Sequence, residues 1–312
     1  MPISMHLGNM TKTMKIKHLK DTKELTRNFI QDTLYPICES YRNGIEPSNT
    51  LENRTLFSLF YEPSLLTRIS FERAITMLGG HTLHTEDASQ FFPVKTGNYI
   101  ENTVEILNSL HIDGVVIRSS EIGIIEKACV NSKIPIINGG SNNDHPTQAL
   151  ADIYTIIREI GYVDNTTVTI MGRLEHRNTS ALLLALSLFE NVEVRLLKLS
   201  GQVTPDIKEI CSSRGLKIIE IGDPLEIEGS DVVYLNSPRT NAHYELLKSR
   251  NQNFPVINDE FMSLLKPQSA ILNPMQRSGD FSIDTNDERL SFYRQSENAL
   301  FVRMAILVDL MS

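Results

Sequence analysis

The chain has 312 residues, 41% of them hydrophobic and 22% charged, with 16 Gly, 13 Pro and no Trp. This is globular composition, and it excludes a disordered, collagenous or disulfide-scaffold protein. Acidic residues outnumber basic ones 38 to 30, for a formal charge of -8, so no overall cationic field exists to hold a nucleic-acid backbone or an anionic membrane, and small-molecule partners are expected instead.

The cysteines Cys38, Cys129 and Cys211 are scattered and lack CxxC spacing, which reads as reduced thiols in a cytoplasmic compartment rather than a zinc site. No apolar segment of signal-peptide length follows the N-terminal lysines. The longest apolar run, Ala181 to Phe189, is too short to span a bilayer.

In chain order, the first element of interest is Glu62-Pro63-Ser64-Leu65-Leu66-Thr67-Arg68. It opens a predicted helix with Ile69, Ala74, Ile75 and Leu78 behind it and Gly79-Gly80 as its stop. The free N–H groups of that helix start, with the hydroxyls of Ser64 and Thr67, form a candidate anion seat; the plainer reading makes Ser64 an N-cap with no ligand. β-Branched runs then predict strands at Gly114 to Ile117, Ile134 to Ile137, Val168 to Met171, Val192 to Arg195 and Asp231 to Tyr234, each followed by a polar loop and a helix-like stretch. That alternation is the pattern of an α/β protein with parallel sheets, in which ligands sit at the carboxyl ends of the strands. Arg118, Asn138 to His145, Gly172 to Thr179 and Asn236 to Arg239 occupy those ends.

Pro146 suits a first helical position, and Leu150, Ile153, Ile156, Ile157 and Ile160 then share one face before Gly161 ends the helix. The domain boundary falls on this helix, dividing residues 1–148 from 149–295. Just before it, His145 can donate to a carbonyl oxygen, and one turn in, the amide of Gln148 can read an adjacent NH2. Taken singly, each would be an ordinary structural or solvated residue. Leu272 to Arg277 is a strand end breaking into a Pro-containing loop with backbone carbonyls open to a ligand, and Asn298 to Met311 is apolar and helical in pattern. Gly172, after a strand and before a predicted helix over Thr179 to Phe189, would also suit a dinucleotide-binding turn, but GxGxxG is absent.

Over roughly Leu51 to Met311 the order and wording of these segments resemble the aspartate and ornithine carbamoyltransferases, closer to the aspartate catalytic chain. The family's Ser-Thr-Arg-Thr-Arg helix start stands here as Ser64 to Arg68, followed by Ser70-Phe71-Glu72 and Leu78-Gly79. Its His-Pro-Thr-Gln is intact as His145 to Gln148, its strand-end arginine is matched by Arg118, and its His-Pro-Leu-Pro-Arg loop by Asn273 to Arg277. The resemblance implies two domains, each with a parallel sheet flanked by helices, joined by a long helix. A C-terminal helix, 296–312, would return to the first domain. It also implies a homotrimer or multiple of it with shared sites, a carbamoyl-phosphate donor, an amino-acid acceptor, and neither metal nor cofactor.

Carried over residue by residue, the resemblance gives Thr67, Arg118 and His145 the carbamoyl oxygen. It gives Gln148 with the backbone of Pro274 and Met275 the carbamoyl NH2 and Ser64 a place at the phosphate; the mobile-loop lysine that a neighbouring subunit contributes in the family aligns with Thr96 when Gly97 is held in register, with Lys95 one position away as the candidate substitute. The family's phosphate-gripping arginine falls at Leu66 and the threonine before it at Leu65. The arginines that hold aspartate fall at Asn178 and Ser237, with Arg173, Arg177 and Arg239 close by. These departures point to a transferase that delivers a carbamoyl or related acyl group to a small amino-acid-like amine other than aspartate. The alternative is an inactive paralogue serving as a structural or regulatory subunit.

Overall fold

The structure is a computed structural model that describes residues 18–45, 47, 49–85, 87–90, 98–130, 132–238, 240–251, 254–274 and 286–312. Two all-parallel sheets carry the fold. The first has order β2-β1-β3-β4 and is built from β1 (Thr55–Phe60), β2 (His81–His84), β3 (Gly114–Arg118) and β4 (Ile136–Asn138). The second has order β7-β6-β5-β8-β9 and is built from β5 (Thr167–Arg173), β6 (Glu193–Ser200), β7 (Lys217–Ile221), β8 (Val232–Asn236) and β9 (Ala270–Leu272).

The helices around the first sheet are α1 (Tyr35–Arg42), α2 (Leu65–Met77), α3 (Tyr99–Ser109) and α4 (Ile124–Val130). Between the sheets runs α5 (Pro146–Ile160), and the second sheet carries α6 (Arg177–Leu186), α7 (Pro205–Ser213), α8 (Asn241–Lys248) and α9 (Asp259–Ser263). Pro146 stands at the start of α5 and Gly161, at φ +90°, accepts the left-handed turn that ends it. Leu150, Ile153 and Ile156 are fully buried, while Ile157 and Ile160 pack at the margin of the core.

The last helix, α10 (Phe292–Met311), packs against α5, α2 and α1, which resolves what periodicity left open: it returns to the first sheet's side. One apolar core then runs from Leu56, Phe71 and Ile75 through Leu150 and Ile153 to Leu182, Val302 and Ile306, so burial of α10 ties the chain's end to its beginning.

Two helix expectations are corrected. Ile69 is 49% exposed; it follows Arg68 on the face of α2 that points away from Phe71 and Ala74, so one of the residues expected behind the helix start faces outward. The helix after β5 spans Arg177 to Leu186 rather than Thr179 to Phe189, because His176 already caps it through a bond from the Asn178 N–H.

The topology decides where a ligand can sit. In the first sheet the chain leaves β1 on one side for β2 and on the other for β3. In the second it leaves β5 on one side for β6 and on the other for β8. Such reversals open a crevice at the strands' carboxyl ends. Gly172 lets β5 and β8 approach there: its φ is +114° and a Cβ would lie 2.5 Å from the carbonyl oxygen of Asn236.

Candidate active site

Arg118, His145, Gln148, Arg173, His176, Arg177, Asn178, Leu235, Asn236, Ser237, Asn273 and Pro274 line one cleft. They come from the carboxyl ends of β3, β5, β8 and β9 and from the starts of α5 and α6, so both sheets contribute through their reversal points. Of the residues singled out from the sequence, Arg118, His145, Gln148, Arg177 and Pro274 are brought together here. Arg173 lines the same cleft.

Lys95, Arg239 and Met275 lie outside the described residues. Thr67 is buried in the first turn of α2 and Ser64 stands at its N-cap, and neither is among the cleft-lining residues. Ser64 makes no capping bond, and its hydroxyl oxygen is buried with no hydrogen-bond partner among the described residues. A plain N-cap would bond the second or third helical N–H, so the ligand-free reading of Ser64 does not describe it. Leu66 is half-buried and Leu65 is 73% exposed, so the leucines in the phosphate positions are not there to fill the core.

Arg118 is held from three directions. Its Nη1 donates to the Gly139 carbonyl at 3.0 Å and lies 3.5 Å from Nε2 of His145. Its Nε is 4.0 Å from a Glu62 oxygen. Gly140 makes the approach possible, since it has φ +120° and a Cβ there would meet Nη1 at 2.6 Å. Asn138 shapes that loop by accepting from the Gly140 N–H at 2.9 Å.

Sequence reasoning missed Glu62 as a site residue. Its carboxylate lies 3.2 Å from Nη2 of Arg177, whose Nη1 donates to the Ser141 carbonyl at 2.7 Å. Burial pushes the Glu62 carboxyl up, but the Ser120 hydroxyl and the charges of Arg177 and Arg118 outweigh it and hold it below its ordinary value. Glu62 therefore stays ionised and joins the loop after β1 to the helix after β5 across the cleft. Its only sequence signal was its place beside Pro63 just ahead of α2.

His145 opens α5, and its N–H donates to Asp144 at 2.8 Å. Burial, then the charges of Arg118, Arg177, Arg303 and His176, push its pKa well below 6.5. The imidazole is therefore neutral at physiological pH and can carry one proton on the nitrogen facing a ligand. The unfolded chain takes up this proton near 6.5 and the folded chain does not, so stability contributed here is lost as pH falls below about 6.5. The ring should accordingly show no titration in the ordinary histidine range; an NMR resonance that shifts with a midpoint near 6.5 and is absent from His145→Asn would contradict a neutral His145.

Behind Gln148 lies Asp152, fully buried on α5. It accepts from Gln148 at 2.8 Å, from Gln295 at 2.7 Å and from the Tyr234 hydroxyl at 2.8 Å. Burial pushes its carboxyl up to about 7, opposed by those donors and by the charge of Arg303. Arg303 is itself fully buried, 5.3 Å from the Phe71 ring centroid, and its guanidinium nitrogens have no hydrogen-bond partner among the described residues. Burial brings it down to about 10, with Asp152 opposing, so it stays cationic and balances the carboxylate. Among the described residues, no group of three or more His, Cys, Asp and Glu side chains is placed to hold a metal ion.

Fold and cleft together define a two-sheet α/β protein with Arg118, Arg173 and Arg177 lining one cleft between its halves. Residues 17–158 match the model of the aspartate/ornithine carbamoyltransferase carbamoyl-P binding domain. The chain is 32% identical over 305 residues to the aspartate carbamoyltransferase catalytic subunit of Methanococcus maripaludis, covering 94% of this chain and 97% of that one. It is 32% identical over 276 residues to the chloroplastic aspartate carbamoyltransferase of rice, Oryza sativa, covering 86% and 76%. The catalytic subunit of M. jannaschii aspartate transcarbamoylase superposes with a TM-score of 0.82 at 30% identity, covering 95% and 98%. The Trypanosoma cruzi aspartate transcarbamoylase in complex with carbamoyl phosphate and aspartate superposes at 0.84 and 27%, covering 95% and 96%. The chain belongs to the aspartate/ornithine carbamoyltransferase family and stands closer to its aspartate branch.

Proposed function

We propose that the protein transfers the carbamoyl group of carbamoyl phosphate to the amino group of a small acidic amino acid, with aspartate the first acceptor to test. The observation that carries this reading is the convergence of Arg118, His145, Gln148 and Pro274 on one cleft. The donor's carbonyl oxygen lies against Arg118 and His145, where preorganised donors stabilise the charge that grows on it; Thr67, which the resemblance also assigns to that oxygen, is buried outside the cleft lining. The Gln148 amide oxygen and the Pro274 carbonyl accept from the donor's NH2. The acceptor's amine attacks the carbonyl carbon; the new C–N bond replaces the bond to phosphate, and the amine's proton leaves with the phosphate. The Ser64 hydroxyl and the N-terminus of α2 receive that phosphate.

The expectation of a non-aspartate acceptor rested on Asn178 and Ser237. Both line the cleft, but so do Arg173 and Arg177, which supply cationic partners for carboxylates from different positions. The names of the relatives also favour aspartate. For Arg177 to serve, Glu62 must give it up to the incoming carboxylate. Leu65 and Leu66 favour the second reading, an inactive paralogue. By the same resemblance we propose a homotrimer, or a multiple of it, which light scattering reads directly.

The deciding experiment is a carbamoyl phosphate titration by calorimetry in phosphate-free buffer, followed by phosphate release with aspartate, ornithine and a panel of amines. Binding with aspartate-dependent release is the expected result. Binding without release from any amine would favour the inactive paralogue, and no binding would overturn the donor assignment.

A further inference from the structure

We propose that Asp152 and Gln295 are positioning residues that orient the two acceptors able to distinguish a carbamoyl group from an acyl group lacking nitrogen. The proposal rests on reading the cleft as a carbamoyl-phosphate site. Neither residue lines the cleft; each acts through one that does. Gln148 donates its NH2 to Oδ1 of Asp152 at 2.8 Å, and Gln295 donates its own to the same oxygen at 2.7 Å. The oxygen of Gln295 in turn accepts from the Asn273 N–H at 2.9 Å, immediately before Pro274. One carboxylate oxygen thus anchors both the Gln148 amide and the backbone that presents the Pro274 carbonyl.

The physical argument concerns the two ends of an amide. They are nearly alike in shape and opposite in hydrogen bonding, so shape alone does not choose which end faces the cleft. An ionised carboxylate only accepts. It holds the NH2 of Gln148 and leaves the amide oxygen for the cleft, where an acceptor meets the carbamoyl NH2. The same logic fixes Gln295: with its NH2 on Asp152, its oxygen is the end that meets the Asn273 N–H. Both amides donate to Oδ1, an oxygen that remains an acceptor even when the carboxyl, pushed up to about 7 by burial, carries its proton on Oδ2 beside the Tyr234 hydroxyl. An asparagine at 152 would accept or donate and so would satisfy Gln148 in either orientation.

The test compares carbamoyl phosphate with acetyl phosphate, which keeps the carbonyl and the phosphate but replaces the NH2 by a methyl. Dissociation constants of both are measured by calorimetry on the purified full chain and on Asp152→Asn and Gln295→Met. The preference for carbamoyl over acetyl phosphate should fall by about tenfold in each variant, as expected for one lost hydrogen bond. Thr155→Val, one turn along α5, removes a buried hydroxyl that bonds Ala151 and Asn298 instead. It should lower Tm while keeping the preference, which separates positioning from loss of stability. Folded variants that keep the wild-type preference would overturn the proposal alone, as would a wild type that binds both donors equally. A wild type that binds neither would overturn the underlying reading of the cleft and this proposal with it.

Discussion

Replacing Arg118 by Met should lower kcat for phosphate release by about a thousandfold, the scale of losing one preorganised oxyanion donor. Arg118 ends β3 at 4% exposure, and its hold on Gly139 with the neighbouring Glu62 and His145 fixes the guanidinium before any ligand arrives. A donor already aimed where charge develops acts mainly on the transition state, so the loss should fall on kcat more than on KM. Arg118→Lys should recover little, because one ammonium cannot reproduce the planar fork that reaches Gly139 and a substrate oxygen together. The Met variant also leaves the Gly139 carbonyl without that bond, at about 1 to 3 kcal/mol, so kcat is to be read below the variant's own melting transition. A folded variant with kcat within tenfold of wild type would remove Arg118 from the reacting centre.

Leu66→Arg should tighten carbamoyl phosphate binding by roughly ten- to a hundredfold, the equivalent of the about 1.5 to 3 kcal/mol carried by a hydrogen bond to a charged group. Leu66 is half-buried in the first turn of α2 and outside the apolar core, two residues beyond the Ser64 hydroxyl, which has no hydrogen-bond partner among the described residues. Without ligand, a cation at a helix N-terminus is unfavourable by about 0.3 to 1 kcal/mol, so Tm should drop slightly in phosphate-free buffer and recover on adding the donor. Paired calorimetry and melting curves check both signs. Unchanged affinity in a folded variant would mean that the phosphate is not seated at the start of α2.

How much of this was legible varies by element, and the reasons are local. The helix over Pro146 to Ile160 was readable end to end because its start, its apolar face and its Gly161 stop are all short-range features. The strands with runs of β-branched residues, β3, β4, β5 and β8, were readable in the same way, with ends shifted by at most two residues, whereas β6, with Val194 alone, was located by its first residues and runs five beyond its predicted end. β1, reading Thr-Leu-Phe-Ser-Leu-Phe, has one β-branched residue, and β2 is a largely exposed edge strand, so neither carried the signal. The exposure of Ile69 depended on packing partners that spacing does not reveal, and the start of α6 at Arg177 on the cap bond that His176 accepts from the Asn178 N–H.

The site divides along the same line. Residue types and order, read through the family resemblance, singled out His145, Gln148, Arg118 and Pro274 together and marked Leu65, Leu66, Asn178 and Ser237 as departures from the family's pattern, because each stands in a motif short enough to be read along the chain. Only the tertiary structure decided that Glu62 bridges to Arg177, 115 positions away, and that Asp152 gathers Gln148 with Tyr234 and Gln295, 82 and 143 positions away from it. A buried carboxylate needs donors wherever the fold can bring them. Which donors those are is settled when α10 closes onto α5 and β8 reaches the same point, and no periodicity in the chain records that meeting.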